Sequence, residues 1–357
     1  MSGFVCVHVG AGQHSNNLGL RYEQLCREAS KQGIDVLKRG GSAIDAVVEA
    51  TMLLEDSPLT NSGFGSNLSW NGQVECDASV MNGENFSFGA CGAVAGVKNP
   101  VALAKHICQQ QLVSLPLGRV PPSLLAGEGA FKYAIENNIT IVDCDSLISA
   151  RALKMYKHCK KRLSWYDEHS AKLMKTEEQI KQEMQEVLDT VGAVCVDSAG
   201  NIAAACSSGG VLLKREGRIG QAGIQGAGCW AQGDVGVVTT GCGEHLISTC
   251  LAREVARNIK SSKCPITALQ NTVREDFLNS PLLSRVEEKL AGVLVVKTYE
   301  AGRGEMIYAH TTQSMCIGYS TTNQKKPKNV QVTTWVQAWT VNCDRRSLFL
   351  KTLCKLL

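Results

Sequence analysis

Short apolar, β-branched runs closed by glycine recur along this chain, with stretches of helical spacing between them. Phe4-Val5-Cys6-Val7-His8-Val9 runs into Gly10-Ala11-Gly12, a strand ended by a tight turn. Leu25, Ala29, Ile34, Val36 and Leu37 lie on roughly helical spacing, and Gly40-Gly41 stops that helix. Ser42 stands three residues before Asp45, a capping box that opens a helix burying Ala43, Ala46, Val47, Ala50, Leu53 and Leu54. Pro58 ends it. Residues 61–97, rich in Gly, Asn and Ser, read as a β-hairpin region with irregular loops that includes Cys91–Val97. Asn99-Pro100 reads as N-cap and first turn of a further helix, and another covers Gly127 to Asn137.

From Ala130 to Val191 there is neither Gly nor Pro, and residues 146–188 are dense in Lys, Glu, Gln, Leu and Met. That composition predicts a long helix with a thin apolar stripe, solvated and only partly docked. It carries Lys154, Lys157, Lys160, Lys161 and Arg162, which suit either a solvated helix face or a nuclear-import patch. The pattern changes abruptly at Asp189-Thr190. Val191–Val196 and Ile202–Ser207 read as strands joined by the turn Asp197–Asn201, and Val235–Thr240 is a strand that runs into Gly241. His245–Ile259 reads as one helix, and Ala291–Val296 and Ser314–Tyr319 complete the strands. Strands then helices, repeated in two halves, predict packed sheet layers covered by helices. The tail 321–357 has no clear period and is assigned no element.

Composition narrows the function classes. The 357 residues are 44% hydrophobic and 20% charged with a net charge of +4, which excludes general disorder and gives no reason to expect nucleic-acid binding. No apolar stretch approaches the ~18 residues of a membrane span. The run Phe4–Val9 is too short for a signal peptide and lacks a basic segment before it, so the expectation is cytosol or nucleus, with reduced thiols. The 16 cysteines then read as small buried hydrophobes, and none forms a Cys-x-x-Cys pair. Cys242 and His245 have Cys-x-x-His spacing, read as a core cysteine beside a helix-start histidine rather than a metal pair.

There is no Gly-x-Ser-x-Gly elbow, no phosphate-binding loop and no convincing dinucleotide fingerprint. What remains is a charged segment ending in Asp189, followed by Thr190 at the start of an apolar strand. A threonine there is ordinarily a β-former. Its hydroxyl becomes a nucleophile only with a base, and one available base is the α-amine of the same residue once the chain is cut before it.

Asp189-Thr190-Val191-Gly192-Ala193-Val194, Gly200-Asn201-Ile202, Ser207-Ser208-Gly209-Gly210, Gly217-Arg218-Ile219-Gly220 and Gly241-Cys242-Gly243-Glu244 together resemble the type 2 asparaginase family of N-terminal nucleophile hydrolases. The first half agrees through Gly10-Ala11-Gly12, Ala43-Ile44-Asp45-Ala46-Val47, Leu54 to Gly65 and Cys76-Asp77-Ala78-Ser79-Val80-Met81. The resemblance runs from about residue 3 to about residue 320. It implies an α/β fold, a four-layer αββα sandwich formed as one domain over residues 1–320. It also implies self-cleavage between Asp189 and Thr190 into fragments 1–189 and 190–357. Thr190 is then nucleophile and base, with Ser208 supporting its hydroxyl and Thr240 and Gly241 forming the oxyanion hole. Arg218 clamps a substrate carboxylate, and Asn61 and Gly10 assist processing, although both also fit as an ordinary loop Asn and turn Gly. No cofactor or metal is implied.

Within the family, three features resemble the threonine aspartase branch: the basic insertion before Asp189, Gly228-Cys229-Trp230-Ala231, and His310-Thr311-Thr312-Gln313-Ser314-Met315-Cys316. Position 221 departs from the asparaginase pattern, which has Asp three residues after the clamp arginine to pair the substrate α-ammonium. A neutral Gln221 suits a peptide amide instead, because a buried Asp without a cation is costly. The resemblance thus implies an endopeptidase that cuts protein substrates at an accessible aspartate, transcription regulators among them, in nucleus and cytoplasm. The implied enzyme is a heterodimer of its two fragments that can pair again, with no direct nucleic-acid or membrane partner. Two alternatives stand beside it, an isoaspartyl peptidase/L-asparaginase and a non-enzymatic binding protein of the same fold.

Overall fold

Apolar runs without a polar face can be strands only where both faces of the sheet are covered, and that requirement sets the architecture. The computed structural model describes residues 2–12, 16–169, 190–324, 326–332 and 336–339. β1 (Phe4–Gly12) precedes α1 (Asn16–Lys38) and α2 (Ala43–Glu55). The hairpin β2 (Cys76–Asn82) and β3 (Phe88–Val94) is followed by α3 (Pro100–Gln110), the short β4 (Leu124–Ala126), α4 (Gly127–Glu136) and α5 (Ala150–His169). After Thr190 come β5 (Val191–Val196), β6 (Ile202–Ser208), β7 (Cys229–Gln232) and β8 (Val235–Gly241). Helices α6 (Gly243–Thr249), α7 (Leu251–Lys260) and α8 (Pro265–Asn271) follow. The chain then forms β9 (Ala291–Thr298), β10 (Gly304–His310), β11 (Ser314–Thr321), β12 (Lys328–Val332) and β13 (Val336–Trp339).

The strands make an eight-stranded sheet, β12-β11-β1-β5-β6-β2-β3-β4, and a five-stranded sheet, β13-β10-β9-β8-β7. Alternation along β5 and β6 shows why they stack. Ala193, Cys195, Ala203 and Ala205 pack against Ala46, Val47 and Ala50 of α2. Val194, Val196, Ile202, Ala204 and Cys206 face the second sheet, against Val238 and Leu294. The far side of that sheet buries Val237, Val293 and Val295 under Leu251, Val255 and Ile259 of α7. The order is therefore helix, sheet, sheet, helix, the expected αββα sandwich. Each fully buried Leu or Ile in these layers contributes about 1.5–3 kcal/mol.

The capping box forms as expected: Ser42 Oγ accepts from Asp45 N at 3.3 Å and Ser42 N donates to Asp45 Oδ2 at 3.2 Å. Other expectations need correction. Asn99 precedes α3, but its side-chain amide donates to Asp56 Oδ1 at 3.1 Å instead of capping the helix. The helix expected over 245–259 is broken at Cys250, whose left-handed φ of 46° separates α6 from α7. The long helix expected over 146–188 is described as a short 3₁₀ turn and α5, and residues 170–189 lie outside the described residues. The tail assigned no element contributes β12 beside β11 and β13 beside β10, and residues 340–357 lie outside the described residues. Most described cysteines are buried, as expected; Cys250 and Cys264 are exposed, and Cys242, expected in the core, is half-exposed.

Glu55, at the end of α2, is wholly buried and accepts from Ser207 Oγ at 2.6 Å and Val101 N at 3.0 Å. Burial pushes its carboxyl up from 4.5 to about 8, outweighing those hydrogen bonds. Between those two pH values the folded chain keeps a proton that the unfolded chain has lost, so this group's contribution to stability falls as pH rises. Glu55→Gln cannot ionise. Its Tm measured against wild type is expected to gain steadily from about pH 5 to about pH 8 and then level off; a pH-independent difference would refute a neutral Glu55.

Candidate active site

Register places the nucleophile candidate. In the β5–β6 ladder Val191 faces Ser207 and Gly192 faces Cys206, so one further step sets Thr190 opposite Ser208. Thr190 is buried; its Oγ1 donates to Ser208 Oγ at 3.2 Å and accepts from Gln221 Nε2 at 2.7 Å. Ser208 Oγ in turn accepts from Gly210 N at 3.0 Å. In the β1–β5 ladder the pairing ends with His8 facing Gly192, and Gly10, with φ of 114°, lies in the irregular stretch of β1 beyond it. Gly10 is not among the residues that line the cleft.

The small cleft here is lined by six residues singled out in the sequence: Asn61, Thr190, Ser208, Arg218, Gln221 and Gly241. Asn61 holds the turn that follows Ser208, donating from Nδ2 to Gly210 O at 2.8 Å and accepting Gly209 N at its own carbonyl at 2.8 Å. Thr240 and Gly241 end β8. Thr240 Oγ1 is buried and has no hydrogen-bond partner among the described residues. An open buried hydroxyl costs roughly 1–3 kcal/mol, so a site that keeps one is equipped to donate to charge that develops during reaction. Gly241 has φ of 130°, and a Cβ there would come within 2.3 Å of Leu290 O, so only glycine fits. Asp189 lies outside the described residues.

Arg218 is less open than expected. Its Nε and Nη2 donate to the two oxygens of Glu244 at 2.9 and 2.8 Å. Burial would raise the Glu244 carboxyl, but the Arg218 charge and hydrogen bonds outweigh it and hold it below its ordinary value. Arg218 Nη1 is buried without a partner among the described residues. An entering carboxylate therefore meets Nη1, and gains the whole guanidinium fork only by displacing Glu244. Glu244 stood in the sequence as part of a glycine-rich motif, without a sign of this pairing.

Gln221, expected beside the substrate nitrogen, donates its amide to Thr190 Oγ1. Gly243 makes room for both groups, since a Cβ there would lie 2.6 Å from Arg218 Nη2 and 2.7 Å from Gln221 Oε1. His8 had no signal in the sequence beyond its strand. It is wholly buried beside the Thr190 backbone, and burial pushes its pKa down to about 3, so the imidazole is neutral.

In the continuous chain the Thr190 nitrogen is an amide and offers no base. Opening the chain converts it to an α-amine with an ordinary pKa of about 7.7–8.0, partly neutral at physiological pH and attached to the residue it would deprotonate.

The family model described as asparaginase matches residues 1–330. The chain is 36% identical over 319 residues to the isoaspartyl peptidase/L-asparaginase of Homo sapiens, covering 88% of this chain and 92% of that protein. Against the Bos taurus isoaspartyl peptidase/L-asparaginase the identity is 37% over 265 residues, 74% of this chain and 79% of that one. Against the plant-type L-asparaginase of Thermococcus kodakarensis it is 37% over 254 residues, covering 71% and 78%.

Thr240→Val removes the open hydroxyl at nearly constant volume. It is expected to slow chain opening and turnover each by on the order of 10²–10³-fold, read by intact mass and steady-state rates. Wild-type rates in the variant would take Thr240 out of the reaction.

Proposed function

The chain belongs to the type 2 asparaginase family of N-terminal nucleophile hydrolases, and on that premise we propose that it is a self-processing threonine endopeptidase. It opens its own chain between Asp189 and Thr190 and then cuts protein substrates after aspartate. The observation that carries this reading is Gln221, a neutral, buried amide beside Thr190 at the position where the asparaginase pattern has an aspartate for an α-ammonium. Aspartate bears two carboxyl groups on a short skeleton, told apart by the nitrogen. With Arg218 on the side-chain carboxylate, the main-chain carbonyl is offered to Thr190, and the adjacent nitrogen is a neutral peptide amide. An Asp at position 221 would be left there without a cation. The Asp189-Thr190 bond fits as well, since the self-cleavage site then resembles the substrate.

A second reading is favoured by the comparisons: an isoaspartyl peptidase/L-asparaginase, as the similar human and bovine proteins are named. It uses the same Thr190, Ser208, Thr240, Gly241 and Arg218, with Arg218 on the α-carboxylate and the side-chain carbonyl offered for attack. On the first reading the substrates are proteins presenting an accessible aspartate, transcription regulators among them, in nucleus and cytoplasm. The basic residues 154–162 of α5 would then serve import.

Incubated wild-type protein is expected to give fragments of roughly 20 and 18 kDa, the 38.4 kDa mass apportioned by length, and Thr190→Ala to stay whole. The opened enzyme is then offered L-asparagine, a β-aspartyl dipeptide and a peptide with an internal aspartate. Cleavage of the last alone supports the endopeptidase; turnover of either small substrate instead supports the second reading. An uncut wild-type chain would overturn both. The rate of the opened enzyme is expected to fall as pH drops below about 7.7–8.0, because the base must be neutral; a rate flat from pH 6 to 9 would exclude the α-amine.

A further inference from the structure

The segment 214–220, which carries Arg218 and leads into Gln221, has no regular secondary structure and depends on outside anchors for its position. Glu244 holds the Arg218 side chain, and Trp70 N and Asn71 N donate to Lys214 O and Glu216 Oε1. Three further hydrogen bonds tie the segment to Glu75 and Asp77 at the start of β2. Lys214 Nζ donates to Glu75 O at 2.7 Å, Gly217 N donates to Glu75 Oε2 at 3.0 Å, and Gly220 N donates to Asp77 Oδ2 at 2.8 Å. Arg218 lies between the second and third of these. The other Asp77 oxygen accepts from Ala93 N at 2.8 Å, so the carboxylate is held from β3 as well. Asp77 is wholly buried, and its Cα is paired with that of Ser208 in the β2–β6 ladder. One residue therefore stands a single rung from the hydroxyl that supports Thr190 and a single hydrogen bond from the loop that carries the carboxylate clamp. Lys214 is buried too, and a Cβ on Gly210 would lie 2.6 Å from Arg218 Nη1 and 3.6 Å from Lys214 Nζ, so both cations lie beside Gly210.

We propose that Asp77 and Glu75 are positioning residues that set the distance from the Thr190–Ser208 hydroxyls to the Arg218 guanidinium, and through it the site's preference for a substrate carboxylate. The inference rests on reading Arg218 as a carboxylate clamp and holds for either substrate reading. A guanidinium rewards a carboxylate only in a narrow geometry, and small displacements of a binding group are costly in rate. Asp77 touches no reacting atom; its effect passes through the Gly220 N–H.

Asp77→Asn keeps the volume but cannot accept from both Gly220 and Ala93. Glu75→Ala removes the acceptor for Gly217, and Glu75→Gln restores it. Each opened enzyme is checked by intact mass and thermal unfolding. It is then assayed on whichever carboxylate substrate the wild type turns over, internal-aspartate peptide or β-aspartyl dipeptide, and on the matching carboxamide. Asp77→Asn is expected to raise KM for the carboxylate substrate by about 10-fold or more with kcat within about 3-fold, and to shrink the preference over the carboxamide by a similar factor. Glu75→Ala shifts the same quantities more weakly, and Glu75→Gln returns them to wild type. An unchanged preference in Asp77→Asn and Glu75→Ala, or a fall in kcat with the preference intact, overturns the inference. Should Asp77→Asn fail to fold, the Glu75 pair decides it. A wild type that accepts only the dipeptide defeats the endopeptidase reading and leaves this comparison to be settled on the dipeptide.

Discussion

The pairing of β5 on β6 is the constraint on which the rest of the site depends. Because both faces of this sheet are buried, odd-numbered residues of the two strands go to the helices and even-numbered ones to the second sheet. Ser207 accordingly turns to Glu55, while Ser208 turns to Thr190. A slip of one residue would send the apolar set of each strand to the wrong layer and break both hydroxyl contacts together, so the packing of the whole sandwich protects the register. The same sheet would hold together were the chain opened after residue 189. β1 and β2 precede that point, β5, β6 and β11 follow it, and the ladders β11-β1-β5 and β6-β2 cross it. The proposed opening would free an amine without loosening that sheet.

The cleft is assembled from groups that are individually unfavourable. Arg218 is set against Glu244, while Arg218 Nη1 and Thr240 Oγ1 stay buried with no partner among the described residues. Buried polar groups are ordinarily paired; of these two open donors Arg218 lines the cleft, while Thr240 lies next to the lining residue Gly241. The surrounding core supplies the stability that this arrangement gives up.

Much of this was legible from sequence because it is local or carried by short motifs. The capping box at Ser42, the strands at Phe4, Val191 and Ile202, and the glycine at 241 follow from spacing and residue type over a few positions. The break at Cys250 was not legible, since a non-glycine left-handed residue carries no local signature. Neither were β4, β7, β10, β12 and β13, most of them short edge or near-edge strands whose pairing comes from distant segments.

The site divides the same way. Residue identity alone determined which groups could do chemistry here: a threonine placed to become a chain terminus, an arginine able to grip a carboxylate, a glutamine where a charge was expected. Tertiary structure decided their relations. It set Gln221 on the Thr190 hydroxyl, closed Arg218 against Glu244, and tied the Arg218 loop to Glu75 and Asp77. Those contacts join residues from 26 to 143 positions apart. No local pattern encodes them, because they exist only once two sheets have stacked and buried the groups that must then find partners.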